Sequence, residues 1–143
     1  MVVALRREGA PYSNLNATFG QIWTWAKGAG LLSRIDGIYG IPLDDPHSVP
    51  SAQLRYQACF ALGEDVDPPK PFETVSLPKG SYACARHLGS YDALEDSTQQ
   101  MIEQWLLRSG REPADFPLFY QFLNDPEETL PEALVTDILI PIL

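Results

Sequence analysis

Residues 82–94 read YACARHLGSYDAL. The run has the pattern of a strand over 82–88, a glycine turn at Gly89 and the start of a helix at Tyr91. Residues 2–15, VVALRREGAPYSNL, follow the same order. Laid over each other, Gly9 falls on Gly89, Tyr12 on Tyr91 and Leu15 on Leu94. The correspondence runs on from there. Asp45-Pro46 and Asp125-Pro126 are 80 residues apart, as are Leu54 and Leu134. The helices match at an offset of 79: Leu15, Phe19, Ile22, Trp23 and Ala26 against Leu94, Thr98, Met101, Ile102 and Trp105. Each set has the spacing of one helical face. Ala10-Pro11 stands against the single Ser90, and the lost residue is expected back in the loop after the helix. Together these matches predict an internal duplication.

Each half then has the order strand, helix, strand, strand. The spacing predicts strands over 2–8, 35–43 and 54–62 in the first half, with a helix over 12–27. It predicts strands over 73–77, 82–88, 116–123 and 134–140 in the second, with a helix over 91–108. Residues 63–72, GEDVDPPKPF, contain three prolines and three acids and read as a semi-rigid linker. The expected organisation is a single domain over 1–143, with module 1 over 1–63, a linker over 64–72 and module 2 over 73–143. One module alone, at roughly 60 residues, would bury too little surface to be stable. Two joined modules predict an α+β fold: one antiparallel-rich sheet, two main helices on one face, and a pseudo-twofold axis with a central groove at the seam.

Composition narrows the function. Net charge is −9, which argues against direct nucleic-acid binding, since phosphates need Lys and Arg to neutralise them. It suits cationic small molecules or basic protein surfaces. No run of about 18 apolar residues and no long apolar leader is present, so no membrane partner and a cytoplasmic location are expected. Cys59 and Cys84 lie in apolar runs without metal or redox spacing, and both read as buried hydrophobes. His47 follows an Asp-Pro turn and His87 ends a strand without a second ligand, so neither metal nor cofactor is expected.

The candidate site comes from strand alternation and aromatic placement. In the last strand Leu134, Thr136, Ile138 and Ile140 share one face, and Val135, Asp137 and Leu139 the other. Asp137 is the single acid in an apolar strand, and a carboxylate there must be paired, hydrogen-bonded or solvated. Two readings stay open: Asp137 meets Arg55, Arg86 or a backbone donor, or it supplies the counter-charge of an aromatic pocket. Gln57 holds the matching position in the first half. Trp25 lies off the helix face assigned to the sheet and reads as either an exposed patch or a groove wall. Phe19, Trp23 and Trp105 are assigned to the core. Tyr39, Tyr56 and Tyr120 lie in strands, where core packing and pocket lining are both open.

These residues resemble a known family. YACARHLGSYDAL, the Trp105 helix, LNDP and LPEALVTDILIPI are similar to the gyrase-inhibitor-like domain, the effector-binding part of many AraC-type and MerR-type multidrug regulators. ALRREGAPY, GIYGIPLDDP and LRYQACF resemble its first repeat, so the likeness covers nearly the whole chain. It implies two fused modules around a groove for hydrophobic, often cationic ligands. With the alternation and aromatic placement above, the expected ligand set is Trp25, Tyr39, Tyr56, Gln57, Tyr120, Asp137 and Leu139. The family's last strand usually reads Thr-Glu-Ile-x-Ile-Pro, with the glutamate as pocket acid; here Asp137 is one methylene shorter. The first-half strand usually reads Arg-Tyr-Asp; here it is Arg55-Tyr56-Gln57. The family's helix-turn-helix is missing from the sequence, so a stand-alone binding domain is expected. The resemblance leaves two alternatives: interaction with DNA gyrase or with a regulator protein, and hydrolysis of cyclopropane-type electrophiles by Asp137 with Tyr120 as acid/base groups.

Overall fold

The computed structural model describes residues 2–8, 16–44, 48–63, 66–124 and 128–143. The Gly9 hinge, Tyr12, Leu15, both Asp-Pro turns and His47 lie outside the described residues. The chain divides into two compact units, Met1–Leu77 and Pro78–Leu143.

In the first unit β1 (Val2–Glu8) pairs antiparallel with β3 (Arg55–Phe60), and β3 pairs antiparallel with β2 (Ile38–Pro42). The helix α1 (Asn16–Gly28) covers one face. Ile22 and Ala26, one turn apart, pack on Ala58, Phe60 and Leu62. Each large apolar side chain buried there contributes about 1.5–3 kcal/mol. β4 (Glu73–Val75) pairs with the other edge of β1, Val2 against Val75 and Ala4 against Glu73. That corrects one expectation. Residues 73–77 were expected to open the second module beside 82–88; they close the sheet of the first unit instead, and the division falls after Leu77. Pro78 and Gly80, the latter at φ +121°, separate the two segments.

In the second unit β7 (Val135–Ile142) pairs antiparallel with β5 (Ser81–Leu88) on one side and with β6 (Phe119–Phe122) on the other. α2 (Leu94–Met101) buries Leu94, Thr98 and Met101, and packs on Ala83, Ile138 and Ile140. The helix then widens to a π turn over Ile102–Leu106 before α3 (Leu107–Ser109). The N–H of Leu107 reaches back five residues to the carbonyl of Ile102. A π turn holds one residue more than an α turn. The lost residue is therefore regained inside the helix and not in the loop beyond it. After the turn, Leu106 is the buried residue and Trp105 is 46% exposed, so Trp105 leaves the core position assigned to it. Trp23 is likewise 46% exposed, with its ring edge-on to Phe60.

The two units share a register at an offset of 80. Tyr39 pairs with Cys59, and Phe119 with Leu139. Arg6 pairs with Gln57, and Arg86 with Asp137. The Asp44 carboxylate accepts from the Arg55 N–H at 2.9 Å, and the Asn124 side-chain carbonyl accepts from the Val135 N–H at 3.0 Å. Gly30 and Gly110 end their helices at φ +72° and +73°. That conformation favours glycine at a helix C-terminus.

Candidate functional site

Alternation along β7 places Thr136, Ile138 and Ile140 under α2 and Asp137 and Leu139 on the opposite face. Antiparallel partners share a face, so Arg86, Cys84 and Tyr82 of β5 and Phe119 and Gln121 of β6 lie beside them. The surface is aromatic. Tyr82 and Phe119 meet edge-on at 5.7 Å, and Phe116 meets Phe119 at 6.0 Å.

Asp137 is the electrostatic centre of this face. Its side chain is 13% exposed, whereas that of its partner Arg86 is 60% exposed. Arg86 donates from Nε to Oδ1 at 2.9 Å and from Nη2 to Oδ2 at 3.3 Å. This two-point geometry satisfies a carboxylate that would otherwise be costly to bury. Of the partners considered from sequence, Arg86 is the one observed. The cost of separating the pair falls unequally, because the exposed guanidinium regains water and the sheltered carboxylate does not. Cys84, one strand over from Leu139, is exposed, contrary to the buried position expected. Its thiol is pushed up by partial burial and by Asp137, and pulled down by Arg86.

The remaining candidates separate by sheet face. Tyr56 is 4% exposed and edge-on to Phe19 at 6.3 Å, on the α1 side; it is core. Trp25, also on α1, lies against Phe72 at 5.2 Å and lines an open hollow of about 560 Å³ with Gly20, Gln21 and Thr24. Gln57 is on the other face of β3, where its Nε2 donates to Glu73 Oε1 at 2.8 Å. Tyr39 shares that face with Cys59. Burial and the nearby Asp36 carboxylate raise the Tyr39 hydroxyl above its ordinary value. Its ring covers Gly37, where a Cβ would come within 2.7 Å of the ring and φ is +152°. In the second unit Tyr120 pairs with Ile138 on the α2 side, and its hydroxyl is 3.0 Å from Thr98 Oγ1. Tyr120 and Asp137 therefore lie on opposite faces of one sheet, which separates the two groups expected to act together in hydrolysis.

His87 is buried and has two partners: Nδ1 is 2.7 Å from Ser97 Oγ, and Nε2 is 2.9 Å from the Ser90 carbonyl. It fixes the β5–α2 connection. Among the described residues no group of three His, Cys, Asp or Glu side chains is placed to hold a metal ion. The sequence reading named Arg86 as one possible partner of Asp137, but it did not assign Tyr82, Phe119 or Phe72 to the site. Arg86 was visible as the strand-paired cation, whereas the ring contacts depend on loop paths that periodicity does not report.

The model of the GyrI-like small molecule binding domain matches residues 1–143, the full length described by the sequence. The chain belongs to this family. A curated relative, the "Probable transcriptional regulator YgiV" of Escherichia coli (strain K12), is 27% identical over 130 residues, covering 90% of this chain and 81% of that protein. Two solved structures share the fold of this GyrI-like chain. One is the EcmrR–DNA complex, at TM-score 0.81 and 14% identity, covering 99% of this chain and 53% of EcmrR. The other is an uncharacterized conserved protein from Listeria innocua, at TM-score 0.75 and 11% identity, covering 99% and 87%. This GyrI-like chain thus spans about half the length of the EcmrR chain. No helix among its described residues is long and apolar enough to cross a membrane.

Proposed function

We propose that this GyrI-like domain binds hydrophobic or amphipathic cations, with Asp137 as the counter-charge. The observation that carries the reading is the unequal Arg86–Asp137 pair: a sheltered carboxylate on the same sheet face as the Tyr82 and Phe119 rings, neutralised by a guanidinium that is itself largely in water. A ligand cation takes the place of Arg86 on Asp137 while its apolar body lies on Tyr82, Phe119 and Leu139. Tyr39 and Gln57, on the matching face of the first unit, are the further contacts proposed. The central groove expected from the family resemblance belongs to this proposal, as does an internal repeat, which the shared 80-residue register supports. The regulator names of the relatives support a role in reporting the ligand to a transcriptional partner in the cytoplasm.

The test is ligand-induced stabilisation. A lipophilic cationic dye at about 100-fold its Kd adds roughly 2.7 kcal/mol to folding. Asp137→Asn keeps the size of the side chain and removes the charge, and it is expected to abolish most of that gain. Arg86→Gln removes the competing cation and is expected to tighten binding, at some cost in stability of the free protein. Undiminished binding in Asp137→Asn, with the native circular dichroism spectrum retained, would refute the counter-charge role.

A further inference from the structure

β1 and β5 hold the same place in the ladders of their units, 80 residues apart. Each has a second edge. On β1 that edge is taken by β4, and Phe72, immediately before β4, lays its ring on Trp25. Among the described residues no strand pairs with the second edge of β5. The π turn advances the helix register by one, so the indole corresponding to Trp25 is Trp105. Trp105 is 46% exposed and forms one wall of an open groove of about 630 Å³ along β5, with Met101, Gln104, Ala83 and Ala85 among its lining residues. The first unit thus shows an edge strand and an indole both covered by one extended segment, and the second shows the same pair uncovered. An exposed edge is a template for strand addition, with main-chain bonds giving affinity and side-chain pockets giving specificity.

We propose that the β5 edge and the Trp105 groove dock an extended segment of another protein, one that carries an aromatic residue followed by an acid and a β-branched residue. The chain's own Phe72-Glu73-Thr74-Val75 has this chemistry. In the register that β4 uses on β1, the incoming acid pairs with Cys84, the next residue with Ala83 and the third with Tyr82. The preceding aromatic side chain reaches Trp105. The acid then lies two residues along the strand from the exposed Arg86 guanidinium, whose charge it complements. A second copy's β5, SYACARHL, presents no aromatic-acid pair and leaves the indole groove unfilled.

A peptide copying residues 68–77, PPKPFETVSL, serves as the probe with the full chain. The expected result is slowed amide exchange across residues 81–88 and a change in tryptophan fluorescence that is lost in Trp105→Ala. Replacing the peptide's phenylalanine with alanine is expected to weaken binding by at least about ten-fold, the loss of one buried aromatic side chain. Peptide protection confined to β1, where the probe would displace β4, overturns the proposal. So does the absence of β5 protection at millimolar peptide. Concentration-dependent protection of β5 without peptide also overturns it, because the edge would then belong to a second copy.

Discussion

Cys59 shows how one position can be set by burial alone. It lies fully buried in β3, where its Sγ is 3.7 Å from the Gln57 carbonyl and acts as the donor. Burial, reinforced by the Glu73 carboxylate, pushes the thiol from 9.0 up to about 12. A thiolate there would be poorly solvated and would face a like charge. Because the folded value exceeds the unfolded one, the thiol's stabilising contribution is complete below pH 9 and is lost as the pH rises through 12. Tyr39 acts in the same direction from its ordinary value of 10.0 upward. In native buffer a thiol reagent is therefore expected to modify Cys84 alone, and to reach Cys59 only in denaturant. Stability measured by urea unfolding should fall between pH 9 and 12 more steeply in the wild type than in Cys59→Ala. That variant should also lose about 1 kcal/mol at neutral pH from the small cavity left behind. Equal modification rates for the two cysteines in the native protein would show that Cys59 is not sealed.

At the scale of elements, the π turn explains why the helix periodicity was legible up to Met101 and not beyond. Leu94, Thr98 and Met101 follow α spacing and are buried as that spacing predicts. Trp105 fits the same spacing, but the wider turn rotates it outward and Leu106 inward. Adjacent Trp and Leu both satisfy an apolar pattern, so composition cannot choose between them. β4 was hidden for a similar reason. Two strand-like runs joined by four turn residues read as a hairpin, and nothing local shows that the first run pairs back to β1. Strand alternation, by contrast, put Asp137 on its correct face, with Arg86 among three partners considered. The π turn makes a prediction about deletions. Removing Glu103 lets the helix close to α geometry while Leu106 and Gly110 keep their places, so unfolding free energy should change by less than about 1 kcal/mol. Removing Thr24 from α1, which has no wide turn to absorb the loss, rotates Ala26 and all that follows by about 100°. That deletion should cost several kcal/mol or abolish folding. Comparable denaturation midpoints for the two deletions would mean that the π turn is not a one-residue reserve.

On the scale of the whole molecule, the excess of 19 acids over ten bases sets a field that acts on a charged molecule before any short-range contact forms. A net charge of −9 draws cations from solution, and the attraction is screened over about 30 Å at 0.01 M salt but only about 8 Å at 0.15 M. On the proposed reading the aromatic face of the second unit holds the ligand, and the charge selects which ligands arrive quickly. Association of a cationic dye, followed by stopped-flow fluorescence, should therefore slow several-fold across this salt range, while an uncharged dye of similar size should not. Asp137→Asn leaves the net charge at −8, with one acid fewer against the same ten bases, so its association rate and salt slope should be nearly those of the wild type. Its dissociation rate should rise instead, because the short-range pairing is what the variant removes. If the variant loses the salt dependence of association along with its affinity, attraction is dominated by the single carboxylate and not by the molecular charge. If neither rate changes, Asp137 is not where the cation sits.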